Sequence, residues 1–312
     1  MRLLKLVPAG TNIGFIAGRH IAYAISGTLM LASLVLFIVD GLNYGIDFKG
    51  GILMEVGTTG PADLAVIRRS LESLKLGDVA VQEFGQPSDV LIRIERQPGD
   101  AEAQQAAVAR VRQQLSRDIE GEVSFRRVEV VGPKVSGELI VDGVLSVVLA
   151  IGAVLLYIWF RFEWQFGVGA VLALIHDVTL TIGLFSLTGL EFNLSTIAAI
   201  LTIVGYSLND TVVVYDRVRE NLRKFKKMPL KELLNRSINE TLSRTSITSL
   251  TTLLALFALF GFGGENLRGF TAAMIWGVFV GTYSSIFVAA PLLLRLNLRS
   301  NPSAGAGVPA KG

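Results

Sequence analysis

The sequence predicts a membrane α-helical bundle of six transmembrane helices, with one α+β domain inserted between the first helix and the second. Three observations predict it. Hydrophobic residues make up 51% of the 312 positions and charged residues only 18%, where a soluble domain carries roughly a quarter charged. Six apolar stretches reach the length of about 20 residues that a bilayer core demands. The charge is also unevenly placed: positions 41–132 hold 14 acidic and 11 basic residues, yet the whole chain is +3. An acidic module joined to a basic, apolar remainder needs two environments.

The elements follow in order. Positions 1–19 form a basic N-terminus with Arg2, Lys5 and Arg19. The apolar run 20–39 lacks a small-x-small cleavage site before Asp40, so it reads as a retained anchor, the first span. Positions 40–138 read as the inserted domain with its linkers. Ile52–Val56 is a short apolar run. Ala62–Lys75 places Leu64, Ile67, Leu71 and Leu74 at helical spacing. Val79–Phe84 and Val90–Ile94 alternate like strands, and Gly85–Asp89 between them has turn composition. Ala101–Leu115 reads as a helix with Val108, Val111 and Leu115 inward, and Val123–Val131 as a last strand. The order is βαββαβ, the ferredoxin-like split unit. That fold hosts many functions and by itself names none.

The remaining spans are 139–160, 165–187, 192–214, 246–263 and 268–294. A basic loop occupies 215–245, and the tail 295–312, rich in Ser, Pro, Ala and Gly, is expected to be disordered and cytoplasmic. Basic residues in short loops set orientation. Arg217, Arg219, Arg223, Lys224, Lys226, Lys227, Lys231 and Arg236 fall between spans four and five. Arg161 lies between spans two and three, and Arg295 and Arg299 follow span six. With six spans, all of these share one side with the N-terminus. The opposite turns, 188–191 and 264–267, carry no Lys or Arg. Both termini are therefore expected in the cytoplasm and 41–132 in the periplasm.

Chemistry is sought where charge meets hydrocarbon. Asp177 sits near the middle of span three and Asp210 in span four, roughly 9 Å deeper than Asp216 at about 1.5 Å per residue. A buried membrane carboxylate costs several kcal/mol and faces a partner or a hydrated path. It is either functional or a protonated structural carboxyl. Arg244 opens the fifth apolar run and reads equally as a snorkelling anchor. The hydroxyl run that follows it either bonds back to its own helix or hydrates a path. His176 could relay protons beside Asp177, but neighbouring helical residues point about 100° apart and need not touch, so His176 is read as structural. Span six repeats small residues at Gly269, Ala273, Gly277, Gly281, Ser285 and Ala289, a stripe for close helix packing, with Gly277 and Gly281 at its centre.

Other chemistry has no foothold. There is no cysteine, and the two histidines leave no room for a histidine metal cluster. No phosphate-binding loop, H-E-x-x-H or G-x-S-x-G occurs, so neither a catalytic nor a metal site is expected. The basic loop suggests topology or anionic lipid contact, not nucleic acid.

Four stretches together resemble the SecD/SecF family of the resistance-nodulation-division superfamily, on its SecF side. They are Gly45-Ile46-Asp47-Phe48-Lys49-Gly50-Gly51; Val131-Gly132-Pro133-Lys134-Val135-Ser136-Gly137-Glu138-Leu139; Gly205 through Asn221, containing Asn209-Asp210; and Thr241-Leu242-Ser243-Arg244-Thr245. The resemblance runs from about residue 12 to residue 298. It implies an accessory subunit of Sec protein export in the bacterial inner membrane, paired with SecD. The further partners it implies are the SecYEG channel with SecA, YajC and YidC, the translocating preprotein and membrane lipids. It implies no cofactor beyond the proton gradient. It links Asp210 and Arg244 to proton conduction, with Asn209 and Asp177 in support, and marks Gly45, Asp47, Phe48, Gly50, Gly51, Gly132 and Pro133 as family motif positions. The alternatives are a proton-driven small-molecule or lipid exporter half and a passive membrane scaffold.

Overall fold

The structure is a computed structural model that describes residues 8, 11–119, 121–264, 267–296 and 298. Arg2, Lys5, Arg299 and nearly all of the 295–312 tail lie outside the described residues. Among the described residues, six helices are long and apolar enough to cross a membrane. They are α1 (Arg19–Val39), α5 (Pro133–Arg161), α6 (Trp164–Thr188), α7 (Leu194–Lys224), α8 (Leu230–Phe262) and α9 (Arg268–Ser284). The last continues through a π turn, Ser285–Ala289, into α10 (Ala290–Arg295). The wide turn stands directly before Pro291, which lacks an amide donor and whose ring crowds the carbonyl four residues back in an α-helix.

The helices outrun the apolar stretches. Positions 215–245 are mostly helix: α7 runs on to Lys224, and α8 starts at Leu230 rather than at 246. Hydropathy reports only the length in hydrocarbon, whereas a helix persists in water where its side chains pair along one face. Arg217–Glu220 and Arg236–Glu240 do so, each at 2.8 Å. Arg244 is consequently well inside α8, not at its start.

Between α1 and α5 lies the α+β module. It contains α2 (Ile46–Lys49), β1 (Gly51–Gly57), α3 (Leu64–Glu72), β2 (Val79–Phe84), β3 (Gln86–Ile94), α4 (Ala101–Asp118) and β4 (Ser124–Val131). The sheet order is β2-β3-β1-β4, every neighbour antiparallel, with Met54 opposite both Ile92 and Val128. Asp63 and Asp100 cap α3 and α4, each accepting two backbone N–H bonds. Ile52, Met54, Val56, Ile92 and Ile94 pack on Ile67, Leu71, Val108, Val111 and Leu115 of those helices. The other face of β1 is also covered, with Leu53 and Leu91 against Ile46. That double burial explains why β1 reads as an unbroken apolar run instead of an alternating one.

One local expectation changes. The expected turn over Gly85–Asp89 shrinks to Gly85 alone: Phe84 already pairs with Gln86, and Gly85 takes φ +80° to reverse the chain. The glycine-rich segment 45–51 is closely packed. Ile46 and Phe48 are buried, and Phe48 packs on Tyr44 and Phe192 with centroids 6.2 and 5.8 Å apart. Gly51 has φ +126°, and a Cβ there would sit 2.5 Å from the Ile94 carbonyl oxygen. The glycines serve close backbone approach, not slack.

In the bundle, 56% and 61% of the apolar cores of α6 and α9 are buried, against 6% for α5 and α8. The centre is therefore α6, α7 and α9, with α5 and α8 at the rim. The small-residue stripe meets α7 of the same chain: Gly277 lies against Ile203, and a Cβ on Gly281 would be 3.0 Å from Ser207 Cβ.

Candidate functional site: two linked carboxylates and a domain root

The close approach of α9 to α7 brings two buried carboxylates to one strip of hydroxyls. Asp210 on α7 is 8% exposed and accepts bonds from Thr245 Oγ1 of α8 and Ser285 Oγ of the π turn, each at 2.6 Å. Asp177 on α6 is 1% exposed. It accepts from Ser207 Oγ of α7 at 2.5 Å and Ser284 Oγ of α9 at 2.8 Å. Consecutive serines on α9 thus serve the two acids, and Ser207 lies one helical turn before Asp210. Each α9 serine has a second acceptor: the Gly281 carbonyl at 3.2 Å for Ser284 and the Thr282 carbonyl at 3.1 Å for Ser285. A hydroxyl that swings to that carbonyl frees its lone pair for a protonated carboxyl. Either charge state of the acid thus has hydroxyl partners.

A further set of hydroxyls continues from Asp210 toward the end of the bundle that carries the α+β module. Ser249 of α8 and Thr282 of α9 are 2.8 Å apart, and Tyr206 of α7 reaches Ser249 at 3.4 Å.

The structure brings some expected residues together and leaves others apart. Asp177 and Asp210 share the strip. Arg244 is exposed and forms no salt bridge with Asp210 among the described residues. Asn209 points out of the site: it is exposed, with no side-chain hydrogen bond among the described residues. His176 touches Asp177, Nδ1 to Oδ1 at 2.9 Å, a contact that helical geometry does not require. Its ring stacks on Tyr283 at 6.0 Å, and its Nε2 is buried without a hydrogen-bond partner. Thr245 belongs to the hydroxyl run that the sequence left open between back-bonding and path hydration, and it bonds across to Asp210; Ser207, Ser284 and Ser285 carry no such signal beyond being hydroxyls within apolar helices.

At the module end, Asp47 Oδ2 accepts the Leu194 amide at 2.9 Å, placing a carboxylate at the first turn of α7. Gly45 N–H donates to the Phe192 carbonyl at 2.9 Å, and Phe192 N–H donates to the Asn43 carbonyl at 2.8 Å. Ser136, near the start of α5, donates to the Phe48 carbonyl. Gly132 stands at the N-cap of α5, which opens on Pro133. Arg93 of β3 forms a salt bridge with Glu191, in the turn between α6 and α7. Burial pushes the Glu191 carboxyl up from its ordinary range; Arg93 opposes this, and Asp47 and Glu129 reinforce it. The motif segment 45–51 is thus the root by which the module grips the helix that carries Asp210.

Comparison with known proteins follows this geometry. The model for "Protein export membrane protein SecD/SecF, C-terminal" matches residues 111–299, and that for the "SecD/SecF GG Motif" matches 35–62. The chain belongs to the SecD/SecF family. It is 47% identical over 310 residues to the protein translocase subunit SecF of Rhodobacter capsulatus, covering 96% of this chain and 93% of that one. It is 44% identical to the protein translocase subunit SecDF of Brucella abortus, covering 96% of this chain and 39% of the longer one. Among solved structures, the crystal structure of SecDF, a translocon-associated membrane protein from Thermus thermophilus, superposes with a TM-score of 0.82. It is 38% identical and covers 93% of this chain and 39% of its own. With six apolar helices, this member of the SecD/SecF family is a multi-pass membrane protein. The motif matched over 35–62 contains the root residues Gly45 through Gly51, and the longer match contains both carboxylates.

Proposed function

We propose that the chain is an accessory subunit of Sec protein export that couples proton passage at Asp210 to movement of its inserted module. One observation carries the reading: the helix holding the buried Asp210 is clamped at its first turn by Asp47, at the root of the module. Protonation at one end is thereby tied to position at the other. The chain acts as the SecF half beside a SecD half. The fused SecDF relative, in which a matching segment forms 39% of the chain, supports that pairing. The wider set is the SecYEG channel with SecA, YajC, YidC and the preprotein.

The location is the bacterial inner membrane, with both termini cytoplasmic and residues 41–132 periplasmic. The βαββαβ order with sheet order β2-β3-β1-β4 supports a ferredoxin-like module there. The subunit is non-catalytic and takes its energy from the proton gradient, with no cofactor or metal. The proton path runs from the module side through the hydroxyls of Tyr206, Ser249 and Thr282 to Asp210. Asp177 holds the α9 serines in register, and Arg244 supplies positive charge beside the path. One proton crossing about 100 mV yields about 2.3 kcal/mol, a bias of roughly fifty-fold between two module positions at 1.4 kcal/mol per factor of ten.

The test is Asp210→Asn in vesicles that also carry the SecD partner. Loss of the proton-force-dependent stimulation of translocation, with ATP-driven translocation retained, is expected. Full retention of that stimulation would remove Asp210 from the mechanism.

A further inference from the structure

We propose that a basic pocket at the end of the bundle remote from the module binds the phosphate of an anionic phospholipid headgroup. The pocket, about 450 Å³, is lined by Arg161, Asp216, Arg219, Glu220, Arg223 and Lys224. Both acids are already engaged: Asp216 by Arg161 at 3.0 Å, and Glu220 by Arg217 at 2.8 Å. Arg219, Arg223 and Lys224 have no carboxylate partner among the described residues. The C-terminal ends of α5 and α7 offset about half a charge each. That accounts for basic residues in a last turn, but it leaves a surplus of roughly two positive charges in one recess.

The recess is also pre-shaped. The guanidinium groups of Arg161 and Arg219 lie 5.1 and 6.0 Å from the centroid of the buried Phe162 ring. Arg219 further donates to the Arg161 carbonyl at 3.1 Å. Planar guanidinium forks held in this way suit phosphate oxygens. The source of the phosphate is set by what surrounds it. Trp159 is 70% exposed, Phe160 85% and Trp164 54%, the first two in the last turn of α5 and the third at the start of α6. Exposed large aromatics beside a cationic recess mark the headgroup level of a bilayer. A lipid fills both parts, with its phosphate in the recess and its glycerol and first acyl carbons on the rings. A free phosphate fills only one.

Trp159 and Trp164 report on this directly, since the only other tryptophan is Trp276. The full chain is placed in phosphatidylcholine bilayers with a minor share of brominated-chain phosphatidylglycerol, and tryptophan quenching is read. A W159F/W164F chain supplies the Trp276 background. Quenching is expected to show phosphatidylglycerol enriched by about five- to tenfold over its bulk share, falling to near one in R219Q/R223Q. The control K226Q/K227Q removes equal charge from exposed residues between α7 and α8 that do not line the pocket, and it keeps the enrichment. Equal loss in both pairs, or enrichment retained in R219Q/R223Q, overturns the proposal. Abolition by millimolar inorganic phosphate assigns the pocket to a free anion and overturns it as well.

Discussion

Arg93→Gln and Glu191→Gln should not cost the same, although they break the same salt bridge. The side chains are 20% and 24% exposed, so the pair is largely removed from water. Loss of one partner of a buried charge pair costs about 3–5 kcal/mol, and the residual exposure here brings that down to about 1–3 kcal/mol. The neighbours then decide the asymmetry. Glu191 sits near Asp47 and Glu129, which oppose its charge. Without Arg93 it is a buried anion among anions. Without Glu191, Arg93 keeps those two acids nearby. Arg93→Gln is therefore the costlier change, by about 1 kcal/mol, and the double variant recovers most of the loss because no buried charge is stranded. Amide hydrogen exchange of the full chain in bilayer discs reads this at the Gly45 and Phe192 amides, which bond across the root. Protection should fall about ten- to a hundredfold in Arg93→Gln and by markedly less in Glu191→Gln. Equal losses, or a double variant no better than Arg93→Gln, would refute the reasoning.

Other outcomes follow from the same contacts. Because the Glu191 carboxyl is raised when the module is docked, the docked state binds more protons than the undocked one. Docking should strengthen as pH falls from the raised value toward the ordinary carboxylate range, and Glu191→Gln should flatten that dependence; a distance measurement between β3 and α7 across pH checks it. Asp118 behaves oppositely, since hydrogen bonds from Ser70 at 2.6 Å and Gln114 at 2.8 Å hold it below the usual carboxylate range. Its contribution is present above the ordinary value and is lost as pH falls through the lowered one, so Ser70→Ala should blunt acid destabilisation of the module in a thermal melt. Met54→Ala, at a fully buried core position, should lower module stability by about 2–5 kcal/mol in denaturant titration. Gly277→Leu should separate α9 from α7 at Ile203, costing about 1–3 kcal/mol, with loss of the disulfide that a cysteine pair introduced across α7 and α9 would otherwise form.

Much of this was legible because hydrocarbon is an unforgiving solvent. Six apolar runs, and the carboxylates Asp177 and Asp210 that break them, stand out on composition alone. Helix ends beyond the hydrocarbon were illegible by the same rule: Leu230 to Thr245 is polar, yet helical. The hydroxyl partners were visible as residues but not as partners. A serine or threonine in a helix bonds back to its own backbone as readily as across to a neighbour, and Thr248 and Thr251 do the former while Thr245 does the latter. The contact of His176 with Asp177 depends on rotamers that a helical wheel does not carry. The grip of the module on α7 joins Asp47 to Leu194 and Arg93 to Glu191, pairs so distant in sequence that only the fold states them.

The adjacency of Ser284 and Ser285 has a consequence for slippage. One short stretch of backbone holds the donors for both acids, so no displacement of α9 can release Asp210 while leaving Asp177 undisturbed. A shift of α9 therefore strains the serine bonds of both acids, while Asp177 keeps Ser207 and Asp210 keeps Thr245. The backbone of residues 284 and 285 is thus a shared support for both acids.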